Sequence, residues 1–263
     1  MNYQSYLWRD SLRYITHPRL PKLTETSRVA DIGTGTGIWL LQLAQALGTL
    51  AVQLHGYDID ISQCPTENLS LANVSFSRWD AFDEIPPQTY ESYDLIHIRL
   101  FQINIKDNDP SQLIHNVFQM LKPGGWLQWE EINNADNEIL KLCPSDPTPA
   151  MDGLVEYIEQ GSKAHRGSDD WLLNLSSTLQ KQGFEQVQME RHEDPPHLMR
   201  YFYEMWLMTL EEFSTTGLKD IRQAERNLSL IRESHQECQK GAAIRIGKLV
   251  CTARKAAQSL RTA

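Results

Sequence analysis

Residues 29–39 read VADIGTGTGIW, a short apolar run followed by glycines at positions 33, 35 and 37. Glycine accepts positive φ and carries no Cβ, so glycines at alternate positions specify a tight turn that another group can approach closely. Ahead of the turn, Arg28–Ile32 has strand character, and behind it Ile38, Leu41, Ala44 and Leu47 recur at helical spacing. Strand, glycine turn and helix together form the opening unit of a doubly wound α/β sheet.

The alternation continues along the chain. Further strands are expected at Val52–Tyr57, Val74–Arg78, Tyr93–Ile98 and Trp126–Glu131, and a helix through Leu113, Val117, Met120 and Leu121 that Pro123, Gly124 and Gly125 stop. Upstream, Tyr3, Tyr6, Leu7, Leu12 and Ile15 predict a helix that ends before Pro18 and Pro21. Downstream, residues 133–166 read as a loop and then a helix around Leu154, Tyr157 and Ile158, followed by a helix at Trp171–Gln180 and a strand at Phe184–Arg191. Two more helices, in 197–213 and 218–239, precede a final strand at Ile244–Thr252.

This is the pattern of a single domain with a core at 28–132, an N-terminal helical lid at 1–27 and helical insertions at 133–182 and 195–240. Residues 183–194 and 241–255 supply the last two strands.

Among 263 residues, 25 Lys and Arg face 34 Asp and Glu, a formal charge of −9. That balance disfavours nucleic acid and anionic membranes as partners. No run approaches the roughly 20 apolar residues of a membrane span, and residues 1–20 contain no signal-peptide core. Cys64, Cys143, Cys238 and Cys251 form neither a disulfide framework nor a metal pattern. The expectation is a cytoplasmic protein with reduced thiols, no bound metal and a small-molecule substrate. Its oligomeric state is left open, a homodimer included.

The glycine spacing narrows the ligand. A dinucleotide fingerprint, GxGxxG, would need glycine where Ile38 stands, and a P-loop would need Lys and Ser or Thr after its second glycine. Asp31 precedes the turn at a strand end, where a carboxylate opposes a diphosphate but suits an ammonium group. As an alternative it caps the helix that follows. Asp58 in HGYDID and Asp80 in FSRWDAF end the next two strands. An acid at Asp58 can accept from ribose hydroxyls in nicotinamide and adenosylmethionine sites alike.

In this order, VADIGTGTGIW, GYDID, RWDAF, YDLIHIRL and LKPGGWLQWEE resemble class I S-adenosylmethionine-dependent methyltransferases. The narrower likeness is to fungal secondary-metabolism enzymes of the LaeA-like and gliotoxin N-methyltransferase type. The resemblance implies a seven-stranded sheet of order 3-2-1-4-5-7-6 with an antiparallel last strand. It also implies a site: Asp31 with Gly33, Thr34, Gly35 and Gly37 around the methionine part of S-adenosyl-L-methionine, Asp58 at the ribose, Asp80 and Ala81 at the adenine, and Ile59 against its face.

Strands four and five are neighbours in that order, which brings His97 and Arg99 beside Glu130 and Glu131. His97 or Glu130 could serve as a general base, or His97 could be a packed strand histidine. Arg99 could pair with Glu130 or bind the cofactor's carboxylate. Tyr3, Tyr6, Tyr203 and Trp206 are candidates for an apolar wall around a flat acceptor. The leading reading is an O- or N-methyltransferase acting on a hydrophobic or aromatic secondary metabolite. The alternatives are a cofactor-binding fold that promotes cyclisation or regulates a partner, and an NAD(P)-dependent oxidoreductase.

Overall fold

The computed structural model describes residues 2–66, 71–166 and 171–257. Residues 167–170, inside the expected 133–182 insertion, lie outside the described residues. The strands are β1 (Arg28–Ile32), β2 (Gln53–Asp58), β3 (Val74–Arg78), β4 (Tyr93–Arg99), β5 (Leu121–Lys141), β6 (Phe184–His192) and β7 (Ala242–Lys255). They form one sheet of order β3-β2-β1-β4-β5-β7-β6. β1 to β5 are parallel, and β7 runs antiparallel to both β5 and β6. The order reverses between β1 and β4, which opens a crevice at the carboxyl ends of the strands, where open α/β sheets hold ligands.

Side-chain alternation gives the sheet two unlike faces. Ile96, Ile98, Leu127 and Trp129 pack with α3 (Ser111–Met120) and α5 (Trp171–Lys181) on one side. On the other, Val29, Leu54, Leu95 and Trp126 pack with α2 (Ile38–Leu47). A third apolar cluster joins Ile132, Ile246 and Val250 of the sheet to α1 (Asn2–Leu12), α4 (Pro149–Arg166), α6 (Pro196–Glu212) and α7 (Ile221–Gln239).

The register β1–β4–β5 pairs Asp31 with His97, His97 with Gln128, and Arg99 with Glu130. These side chains therefore share a face and make a polar stripe beside the apolar clusters.

β5 and β7 extend well beyond the strands expected at Trp126–Glu131 and Ile244–Thr252. β5 continues through residues expected as a loop, pairing Glu138 with Arg245 and Lys141 with Ala242 beyond an irregularity after Asn133. The NNADNEILK segment has no clean apolar alternation, so its strand character comes from β7 and from charge. Arg245 pairs with Glu138 and Glu193, and Arg191 meets Asp136 at 2.8 Å. The Pro123–Gly125 stretch is a bulge rather than a stop ahead of the strand, since Tyr93 pairs with Leu121 and Leu95 with Trp126.

One buried charge pair joins the last strand to the segment before α6. Lys248 is fully buried, and its Nζ donates to Asp194 Oδ1. The ammonium lies 3.7 Å from the Phe202 ring centroid and 5.5 Å from that of Trp8.

Candidate active site

The glycine turn leaves β1 with Gly33, Gly35 and Gly37 all at positive φ. The Gly33 and Thr34 N–H groups donate to the Tyr57 carbonyl at 2.8 and 3.0 Å, and Gly35 N–H donates to Asp58 Oδ2 at 2.8 Å. The end of β2 thus holds the turn. A Cβ on Gly37 would stand 2.4 Å from Phe76, so this glycine lets α2 seat against β3. It stands behind the turn, outside the residues that line the cavity.

That cavity, about 540 Å³, opens at the sheet's reversal point, within the usual range for small-molecule sites. Asp31, Gly33, Thr34, Gly35, Asp58, Ile59, Asp80, Ala81, His97 and Arg99 line it together. Gln4, Trp39, Trp79, Phe82, Leu100 and Phe101 complete much of the wall. All but Gln4 are aromatic or aliphatic types that read in sequence as ordinary core. The loop carrying Asp80 is fixed from α3, where Asn116 Nδ2 donates to the carbonyls of Ala81 and Asp83 at 2.9 and 2.8 Å.

Asp31 is the most constrained of the acids. Its Oδ2 accepts from Thr34 Oγ1, and its Oδ1 is bonded to His97 Nδ1, each at 2.7 Å. The His97 ring stacks on Trp39 at 3.8 Å with an interplanar angle of 1°. Its Nε2 stands 3.8 Å from Glu130 Oε2, an ion-pair separation too long for a hydrogen bond. Glu130 Oε1 accepts from Gln128 Nε2 at 2.6 Å. His97 and Glu130 are each 1% exposed.

Burial alone would lower the His97 pKa, but the bond from Asp31 and the charge of Glu130 outweigh it and raise it. Burial likewise pushes the Glu130 pKa up, and His97 with Arg99 and Gln128 brings it below the usual carboxylate value. Each of the two thus shifts the other toward its charged form.

Arg99 donates from Nη2 to Ser5 Oγ at 2.9 Å, and of the two alternatives for it the Arg99–Glu130 ion pair is not among those of the described residues. Burial lowers its pKa, opposed by Glu130 and Asp31. Glu131 does not join Glu130 at the stripe: alternation turns it to the opposite face, where Oε1 accepts from Trp129 Nε1 and the Phe101 N–H at 2.8 Å.

The first helix closes over this stripe. Asn2 Oδ1 accepts from Thr36 Oγ1 at 2.6 Å, and Ser5 Oγ also donates to Gln42 Oε1 at 3.2 Å. Trp8 is 1% exposed, with the Arg99 guanidinium 5.8 Å from its ring centroid and Phe202 at 5.9 Å.

The four expected wall residues are elsewhere. Tyr203 and Trp206 are buried in the α6 core, with the Tyr203 hydroxyl bonded to Ser234, and Tyr3 and Tyr6 are 49% and 45% exposed. None of the four lines the cavity. Helical spacing buries one side of α6 and turns the Tyr3 and Tyr6 side of α1 outward, leaving Gln4, Ser5 and Trp8 to face inward.

The residues fit S-adenosyl-L-methionine. A Cβ on Gly33 would stand 2.7 Å from Phe101, so the main chain at the cavity floor stays bare. Three carboxylates ring a space that also holds a guanidinium, which suits a ligand with one ammonium, one carboxylate and a nucleoside.

The sequence matches the methyltransferase-domain family over residues 3–204. The chain belongs to that family, and its fold is that of S-adenosyl-L-methionine-dependent methyltransferases.

It is 34% identical over 110 residues to methyltransferase grgD of a Penicillium species, covering 40% of this chain and 39% of that protein. It is 31% identical over 107 residues to N-methyltransferase tcpN of Claviceps purpurea, covering 40% and 38%. Secondary metabolism regulator laeA of Fusarium oxysporum is 29% identical over 154 residues, covering 58% and 45%. The chain thus spans about half or less of the length of these curated relatives.

Among solved structures, phosphoethanolamine N-methyltransferase 2 of Haemonchus contortus, bound to phosphomonomethylethanolamine and S-adenosylhomocysteine, superposes with a TM-score of 0.54 at 18% identity. That match covers 97% of this chain and 52% of the other. The [4+2]-cyclase SpnF gives 0.52 at 18% identity, covering 97% and 80%.

Proposed function

We propose that the chain transfers the methyl group of S-adenosyl-L-methionine to an oxygen or nitrogen of a small hydrophobic or aromatic secondary metabolite. The observation that carries this reading is the convergence of Asp31, Asp58 and Asp80 with the glycine turn and Arg99 on one cavity. When bound, the cofactor supplies a methyl group on a sulfonium, an electrophile that needs no further activation. The protein then has to align the acceptor and keep water out.

In this reading Asp31 accepts the ammonium, Arg99 meets the carboxylate, and Asp58 takes the ribose hydroxyls. Asp80 and Ala81 flank the adenine, and Ile59 covers it. Helix α1 excludes water through Gln4, Ser5 and Trp8. The burial of His97 and Glu130, each engaged with charged or polar neighbours, favours a role in the cleft floor over proton transfer to an acceptor. Acceptors with an available lone pair fit best, and the relative named an N-methyltransferase is in keeping with this.

A second reading, a protein that binds the cofactor without transferring methyl, draws on the relative named a regulator. Calorimetric titration with S-adenosylmethionine, S-adenosylhomocysteine, NADH and NADPH tests the cofactor. Micromolar binding of the adenosyl compounds alone is expected, and nicotinamide binding would overturn the reading. Transfer of labelled methyl to aromatic amines or phenols separates the first reading from the second.

A further inference from the structure

We infer that His97 is a positioning residue for the aminoacyl end of the cofactor: it locks the plane of Asp31 so that the carboxylate meets an ammonium group already oriented. The inference deepens the proposed function and rests on the role given there to Asp31.

Geometry carries it. A carboxylate on a side chain as short as aspartate's can still rotate about its terminal bond, a broad torsion. Here both oxygens are tethered from opposite sides, Oδ1 by His97 Nδ1 and Oδ2 by Thr34 Oγ1, each at 2.7 Å. The Thr34 tether comes from the glycine turn, whereas the His97 tether comes from the neighbouring strand of the sheet.

His97 is itself immobilised on three sides. Register pairing sets its main chain beside Asp31 and Gln128. Trp39 covers its ring face at 3.8 Å, a geometry that favours a cationic imidazole. Glu130, held through Gln128 at 2.6 Å, faces Nε2 at 3.8 Å. Both ring nitrogens thus point at carboxylates on the two neighbouring strands, and among the described residues Nε2 and Glu130 Oε2 have no hydrogen-bond partner.

His97 stands between the carboxyl groups of Asp31 and Glu130, 2.7 and 3.8 Å from its two ring nitrogens. Removing the imidazolium would leave two carboxylates in a buried site and free Asp31 to turn. The chain needs His97 for the amino-acid portion of the ligand and has no such need of it for the nucleoside portion, which meets Asp58 and Asp80 instead. A purely structural role would weaken both ligands alike, whereas positioning predicts an effect confined to one end of the ligand.

The test compares S-adenosylhomocysteine with 5′-methylthioadenosine, which keeps the nucleoside and thioether but lacks the aminoacyl group. By calorimetry, His97→Ala is expected to weaken S-adenosylhomocysteine tenfold or more while methylthioadenosine changes by less than twofold. His97→Asn, whose amide nitrogen can stand where Nδ1 stood, is expected to recover most of the loss. His97→Gln, which reaches toward Glu130 instead, is expected not to.

Unchanged affinity for both ligands in His97→Ala overturns the inference, as does an equal loss for both. Should His97→Ala fail to fold, the comparison of Asn with Gln carries the test, and equal affinities in those two overturn it. Asp31→Asn separates the two claims. If it leaves the ratio of the two ligands unchanged, the role of Asp31 falls and the inference with it. If it shifts the ratio and His97→Ala does not, only the role of His97 falls.

Discussion

At Gly33 the main chain takes φ +71°, and Phe101 Cδ2 lies 2.7 Å from where a Cβ would sit. Gly33→Ala therefore meets two penalties, a left-handed backbone and a displaced aromatic ring, together about 1–3 kcal/mol. Gly48 also has positive φ but open space around it, and its ψ of −115° lies outside the left-handed helical well, so Gly48→Ala should cost the backbone part alone, about 1–3 kcal/mol. Urea unfolding of the two variants checks both costs, and only Gly33→Ala should lose cofactor affinity.

His97 supplies a pH signature. Its pKa is raised in the folded chain, so the stability it adds is full below its unfolded value of about 6.5 and is lost as pH rises through the folded value. Subtracting the stability curve of His97→Asn isolates this contribution, because His55 and His192, whose pKa values are lowered by burial, are common to both proteins. An advantage of wild type that grows with rising pH would contradict the assignment.

Helix α1 is held to the site by polar side chains as much as by its apolar side. Ser5, buried, donates to Gln42 and its Oγ receives Arg99, so Ser5→Ala strips two bonds from the closure, worth about 1 kcal/mol net each. Faster hydrogen exchange in residues 2–12 and a several-fold weaker cofactor are expected. Exchange unchanged from wild type would mean that Trp8 packing alone holds the helix.

Such contacts were the least legible part of the sequence. The acids at strand ends and the glycine turn were readable because each position has a chemical requirement that few residues meet. Ser5 and Gln42 carry no such mark, since a helix face declares what it buries and not what it touches. Tyr203 and Trp206 have the composition of a pocket wall and of a core alike, and packing by α7 decided for the core. The outer half of β5 was hidden for a related reason: Asn134 to Lys141 becomes a strand by pairing with a segment about a hundred residues away.

For the whole molecule, the buried Lys248–Asp194 pair takes two charges out of water. Burial lowers the Lys248 pKa against the pull of Asp194. Asp194→Ala leaves that ammonium without its carboxylate among Phe202 and Trp8, and an expected loss of about 3–5 kcal/mol follows. Replacing both, as Lys248→Met with Asp194→Leu, should lose far less, since two desolvated charges disappear together. Urea midpoints of the single and double variants decide it, and equal losses would place the strain in packing.

The position of β7 has a consequence for how the chain is made. It is the last strand in the sequence yet sits between β5 and β6, so a nascent chain on the ribosome carries an open β5 edge and a detached β6 until residues 242–255 emerge. Exposed strand edges invite pairing with other chains. The antiparallel ladders at the centre of that half of the sheet close only when synthesis of this last strand is done, so the β5 edge and β6 stay unpaired longer than the strands around the cavity.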